Sequence, residues 1–298
     1  MTMNDQPTIS TPGDPAHDPA AVSEVERFRR DWRRKQQLKS VATSLVSTIV
    51  LAAIVIVGLK LSPGWPRVKQ TFFSAEYFAS SFPEILDGLW LNIRVLVVAV
   101  IGVAIFATLI ALVRTSTNPV LFPLRALAAV YTTVMRGIPM IVILYLIGFG
   151  IPGLGLFGRI DPSILGTIAV VMGYSAYVAE VLRAGFNDVH PSQRASARSL
   201  GLTAGQTTRM IVIPQALRKV APALMNDFIS MQKDVGLISV LGAVDAVRAA
   251  QIEVASSYNF TPYVVASLLF ILMSVPFILL NDWYAARLRK RELSGGTV

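Results

Sequence analysis

The chain has 298 residues, of which 53% are hydrophobic and 15% charged, with a mean hydropathy of +0.57. Soluble globular domains carry about 25% charged residues, so this composition excludes a disordered chain and argues against a single water-soluble domain. Cys is absent and His17 and His190 are the only histidines, which excludes a disulfide framework or thiolate metal site and leaves little for His-based catalysis.

Residues 1–25 are rich in Pro, Asp, Ser and Thr and predict disorder. Arg27, Arg29, Arg30, Arg33, Arg34, Lys35 and Lys39 follow, so 1–39 reads as a disordered basic tail. The apolar run 40–60 is too long for a signal-peptide core and lacks a small-x-small exit, which predicts a first helix retained in the membrane. Five more spans fall near 89–113, 126–150, 162–182, 221–243 and 262–283, each close to the roughly 20 residues that cross a hydrocarbon core. Spans two, three and six read as plain hydrophobic helices, whereas Asp227, Lys233 and Asp234 interrupt the fifth. Residues 291–298 form a short tail.

With the N-terminus inside, 19 of the 27 Lys and Arg fall on the cytoplasmic side and six outside. That asymmetry obeys the positive-inside rule and makes both termini cytoplasmic, whereas a five-span count strands one terminal basic cluster outside. The net charge of +9 is therefore mostly topological, pointing to the lipid bilayer and not to nucleic acid. No inverted repeat of the kind many secondary transporters carry is visible by eye.

The long polar loop 183–220 contains its own start and stop signals. A first helix near 192–200 has Pro191 at its start and Gly201 just past its end. A second opens on Thr203-Ala204-Gly205-Gln206, a capping-box pattern, and Pro214 is expected to close it by removing a donor. A loop stiffened in this way suggests docking to a partner.

The spacing of this loop resembles the EAA signature of ABC-transporter permease subunits. Ala195-Ser196-Ala197 stands for E-A-A, Gly201 follows after Arg198-Ser199-Leu200, and Ile211-Val212-Ile213-Pro214 stands for I-x-L-P. Tyr177-Val178-Ala179-Glu180-Val181-Leu182-Arg183, Arg136-Gly137-Ile138-Pro139, Asn226-Asp227-Phe228-Ile229-Ser230 and Lys233-Asp234 resemble the branch serving polar amino acids and opines. The resemblance covers 83–290, with helix 40–60 as an addition. It implies an all-α membrane protein of six transmembrane helices with the type I ABC importer permease fold, a five-helix core plus one extra helix.

It also implies a subunit that forms the translocation path for polar amino acids without catalysing a reaction or holding a cofactor. Its implied partners are a separate cytoplasmic ABC ATPase, an extracytoplasmic solute-binding protein and a second permease copy or related subunit, in a bacterial inner membrane. Ala195, Ser196, Ala197, Leu200, Gly201, Ile211 and Pro214 are the implied coupling residues, although the signature Glu is replaced by Ala195. No GxxxxGK[ST] phosphate cradle is present, consistent with ATP being hydrolysed elsewhere.

Ionisable groups at membrane depth are costly and mark function by default. On a helix entering near Ala221, Asp227 lies about 9 Å in and Lys233-Asp234 about 18–20 Å in. Asp227, Ser230 and Asp234 share one helix face, and Lys233 stands one position aside, still able to border the same cavity. Such groups suit a zwitterion: Lys233 is expected to hold a carboxylate, Asp234 an α-ammonium, and Asp227 a basic or amide side chain. The other reading is an internal Lys233–Asp234 ion pair. Arg136, beside Gly137 and Pro139, reads as satisfying carbonyls freed by a helix irregularity, and Glu180–Arg183 as an i,i+3 ion pair. The competing functions are an osmolyte (quaternary amine) ABC permease and, in a different class, an ion-coupled secondary transporter.

Overall fold

The computed structural model describes residues 24–116, 118–156 and 158–295, and among these every regular element is helical. The chain divides into two units, Met1–Pro66 and Arg67–Val298. In the first, α1 (Glu24–Leu61) is one continuous helix whose apolar side chains are exposed. Residues 24–39, expected to belong to a disordered tail, are therefore helical. Apart from Val25, Phe28, Asp31 and Trp32 the stretch is built from Glu, Arg, Lys, Gln and Leu, all good helix formers, and no Pro or Gly interrupts it. The disorder expected for residues 1–23 lies outside the described residues.

The second unit is a helical bundle. After α2 (Trp65–Phe72) come α3 (Ala75–Thr115), α4 (Phe122–Gly137), α5 (Met140–Gly153) and α6 (Pro162–Asp188). Then follow α7 (Pro191–Ser199), α8 (Ala204–Thr207), α9 (Ile213–Asp234), α10 (Ala246–Ser257) and α11 (Thr261–Gly295). Among the described residues, four helical stretches are long and apolar enough to span a membrane, and two bent pairs bring the total to six if each is one span. Asp161 starts α6 by accepting from the Ser163 amide at 2.8 Å, and these hydrogen bonds hold its exposed carboxyl below the usual range.

The centre of the bundle is α3 against α6. Ala99, Val103, Ala107 and Ala111 repeat every four residues along α3 and share one buried cluster with Ala169, Val170 and Ala179 of α6. Lipid tails are as apolar as the side chains, so helices here gain by close backbone approach, which small residues permit. Gly166 serves the same end, since a Cβ there would sit 2.7 Å from Ile238 Cγ2. A second cluster joins Ile85 and Leu89 of α3 to Ala246, Ala249 and Ala250 of α10 and Val265 of α11.

Three sequence expectations change. Span two begins at Ala75, well before residue 89. Span three is not a plain helix: it breaks between Gly137 and Met140, and α4 and α5 meet at 111°. Pro139 lacks an amide hydrogen and disfavours a helical conformation at Ile138, whose ψ is 129°, so the α4 ladder stops there. Pro214 does not close the second loop helix. Residues Thr208–Val212 widen into a π turn in which the Ile213 amide bonds the Thr208 carbonyl, and Pro214 sits in the first turn of α9. The wider turn accommodates the proline that would otherwise clash with the carbonyl four residues back.

Candidate functional site

The fifth span supplies the polar groups. α9 ends at Asp234, the chain tightens into a 3-10 turn over Val235–Leu241, and Gly242 reverses it at φ +91°. Irregular backbone at membrane depth is tolerated where it lines a cavity. One does lie here, about 300 Å³ in volume. Asp227, Ser230 and Asp234 form one wall, Tyr174 and Tyr177 of α6 a second, and Ile138, Met140 and Ile143 from the α4–α5 bend a third.

The two carboxylates are not equivalent. Asp234 Oδ2 accepts from the Tyr174 hydroxyl at 2.8 Å. Asp227 Oδ2 is buried with no hydrogen-bond partner among the described residues. The tyrosine rings lie 6.2 Å apart, inclined at 46°, and the Arg136 guanidinium stands 5.9 Å from the Tyr177 ring centre, a cation–π distance. The site thus offers two carboxylates and two aromatic faces, with one cation at its edge.

Of the four residues expected to bind substrate, the structure brings together three. Lys233 is exposed and does not line the cavity. One residue turns a helical side chain by about 100°, which carries Lys233 off the Asp227–Ser230–Asp234 face. Nor does it pair with Asp234 among the described residues, where the ion pairs are Arg114–Glu180–Arg183 and Lys219–Asp188. The neighbouring cation is Arg136, whose expected task was to satisfy freed carbonyls. Tyr174, Tyr177 and Met140 come from other elements; no local pattern in the sequence points to Tyr174 or Met140, and Tyr177 stands out only as the first residue of the element Tyr177–Arg183, with no binding role attached.

The residues expected to form the coupling loop gather at the opposite end of α9. α7 begins on His190, whose ring accepts from the Ser192 amide, and ends in a Schellman motif. Gly201, at φ +85°, bonds the Arg198 carbonyl at 3.0 Å, and the Leu202 amide reaches Ala197 O at 3.2 Å. Thr203 and Gln206 close a reciprocal capping box, with bonds of 2.8 and 3.3 Å. Ala197 is buried, Ala195 and Ser196 are exposed, and Leu200 is 81% exposed. Ile211 lies in the π turn and Pro214 opens α9, so the short helix is tied directly to the helix carrying Asp227 and Asp234. Beside it, Glu180 accepts from both Arg183 and Arg114, and Arg114 also donates to Thr132 Oγ1 at 2.9 Å, locking α3, α4 and α6 together.

Residues 118–290 match the model of the binding-protein-dependent transport system inner membrane component. The chain belongs to this family. Over 197 residues, 65% of this chain and 88% of the relative, it is 32% identical to the arginine transport system permease protein ArtQ of Bacillus subtilis (strain 168). It is 30% identical over 211 residues to the probable glutamine ABC transporter permease protein GlnM of the same organism, covering 70% of this chain and 95% of GlnM. A crystal structure of an amino acid ABC transporter with histidines superposes with a TM-score of 0.61 at 34% identity, over 69% of this chain and 94% of that one. The family assigns the bent helix bundle to a transport permease of the inner membrane.

Proposed function

We propose that this chain is the permease of an ATP-driven amino acid importer. In this reading it lines the path, while a separate ATPase grips the α7 end from the cytoplasm and a solute-binding protein delivers substrate from the other side. The observation that carries it is the pairing of a doubly capped α7 with a broken α9 that bears two carboxylates. A rigid element transmits a push only when its ends are fixed, and both ends of α7 are. The direct route through the π turn to Asp234 supports coupling between motor and gate.

In the cavity, Asp234 takes the α-ammonium and Asp227 a basic side chain, with Tyr174 holding Asp234 in place. Arg136, not Lys233, meets the substrate carboxylate. Basic amino acids follow as the favoured class, which accords with the arginine-transport name of one relative.

The test is uptake into proteoliposomes holding the chain, the ATPase and the binding protein, assayed with each component omitted. Accumulation only in the full set with ATP is expected, and solute concentrated by the isolated chain overturns the reading. Gly201→Pro tests the lever: proline cannot reach φ +85° and lacks the amide that bonds Arg198 O. It is expected to leave the protein inserted and the ATPase hydrolysing, while uptake per ATP drops about tenfold or more, a change of roughly 1.4 kcal/mol in coupling. Wild-type coupling in that variant removes α7 from the transmission path.

A further inference from the structure

The end of the bundle carrying α7 holds a second cavity, about 620 Å³, distinct from the one between α6 and α9. Its polar rim is cationic: Arg194 and Arg198 from α7 and Arg209 from the π turn, with no Asp or Glu among its lining residues. No Asp or Glu occurs in the sequence between Asp188 and Asp227. Among the described residues none of the three arginines has a carboxylate partner. Arg194 is fixed by donating to the Phe186 carbonyl.

Deeper in, Thr207 is only 4% exposed, and its hydroxyl has no hydrogen-bond partner although it lines the cavity. A buried hydroxyl left unpaired is unfavourable, so its position in the cavity wall calls for a partner from outside the chain. Leu112, Phe186, Val212 and Ile213 form the apolar part of the wall, and Thr115, Ser116 and Thr208 add further hydroxyl-bearing side chains.

Three guanidiniums and an unpaired hydroxyl recognise an oxyanion, and the planar guanidinium fork suits phosphate in particular. A free phosphate ion leaves most of 620 Å³ empty and gives the apolar wall nothing to cover. The α3 residues that line this cavity, Leu112, Thr115 and Ser116, are at the end of a membrane-spanning helix, where headgroups lie. We propose that this cavity binds a phosphate oxyanion, presented as the headgroup of an anionic phospholipid, with Arg194, Arg198 and Arg209 on the phosphate and Thr207 donating from below.

The test uses the full-length chain, purified from membranes in the assembly it forms, and reads lipid retention by native mass spectrometry. Phosphatidylglycerol and phosphatidylcholine are supplied separately, and inorganic phosphate is titrated as competitor. Losing one charge-assisted hydrogen bond lowers affinity by roughly tenfold. Wild type is expected to retain phosphatidylglycerol at least about tenfold more tightly than Arg198→Gln/Arg209→Gln, and several-fold more tightly than the near-isosteric Thr207→Val. Retention of phosphatidylcholine does not change between them. Arg218→Gln, outside the cavity, matches wild type.

Displacement of the lipid by millimolar inorganic phosphate supports the phosphate chemistry. Protection by phosphate with no preference for phosphatidylglycerol assigns the same site to a soluble phosphate source. Equal retention of every ligand by wild type and either cavity variant overturns the site. So does an equal loss in Arg218→Gln, which marks general attraction to anionic lipid.

Discussion

Asp227→Asn is expected to lower uptake of a basic amino acid by roughly tenfold to a hundredfold, the range for a lost hydrogen bond to a charged group. Asp227 Oδ2 is buried in the cavity wall and unpaired among the described residues. An unpaired buried carboxylate is among the costlier arrangements in a protein, and a substrate cation relieves that cost. Asparagine keeps the volume and removes the charge, so the loss should fall on basic substrates and spare neutral amides.

The neighbouring carboxylate behaves differently in this account. Asp234 is held by the Tyr174 hydroxyl at 2.8 Å, and its proposed partner is the α-ammonium common to every amino acid. Asp234→Asn should therefore depress uptake of all substrates together, and Tyr174→Phe should follow the same pattern more weakly. Competition of labelled arginine by ornithine, citrulline and glutamine in proteoliposomes separates the two behaviours. An unchanged substrate ranking in Asp227→Asn rejects its role in reading the side chain.

These contrasts mark where the sequence is legible and where it is not. The Asp227, Ser230 and Asp234 face follows from helical spacing alone, because three- and four-residue steps return to one side of a helix. The capping box at Thr203 and Gln206, and the positive φ at Gly201, follow from residue chemistry within a few positions. What escaped depends on distant partners. Tyr174 is 60 residues from Asp234 and reaches it only because α6 packs on α9.

Local signals also compete, and the structure decides between them. Pro139 ends the helical ladder and turns the chain by 111°, yet Pro214 lies in a helix that continues past it. The difference is the π turn at Thr208–Val212, which absorbs the steric demand of Pro214 and has no obvious signature in its residue types. The displacement of Lys233 from the cavity has the opposite character. Helical geometry turns it one position aside, and that rotation is enough to take it out of the cavity wall.

Asn92→Leu is expected to destabilise the bundle by about 1–3 kcal/mol for each buried polar group it leaves unpaired. Asn92 is 1% exposed and Asp245 fully buried. The Asn92 amide donates to Asp245 Oδ2 at 3.0 Å and to the Val235 carbonyl at 3.3 Å, while its oxygen accepts from the Ala246 amide at 3.1 Å. One side chain of α3 thus ties the start of the 3-10 turn that follows Asp234 to the start of α10. One helical turn earlier, Gly88 lets the α10 start press against α3, since a Cβ there would lie 2.5 Å from Ala246 N.

Leucine fills nearly the same space and satisfies none of the three groups, so the cost appears as lost polar pairing more than as a cavity. Thermal unfolding in detergent measures it. Uptake should fall even where folding survives, because Val235 adjoins Asp234 and its position sets the cavity wall. Combining Asn92→Leu with Asp245→Ala discriminates this network from simple overpacking. Removing both partners should cost less than the sum of the single losses, by about 1–3 kcal/mol, since no orphaned carboxylate remains. Additive losses instead show that Asn92 and Asp245 support the fold independently, and that the turn below the binding cavity is held by packing alone.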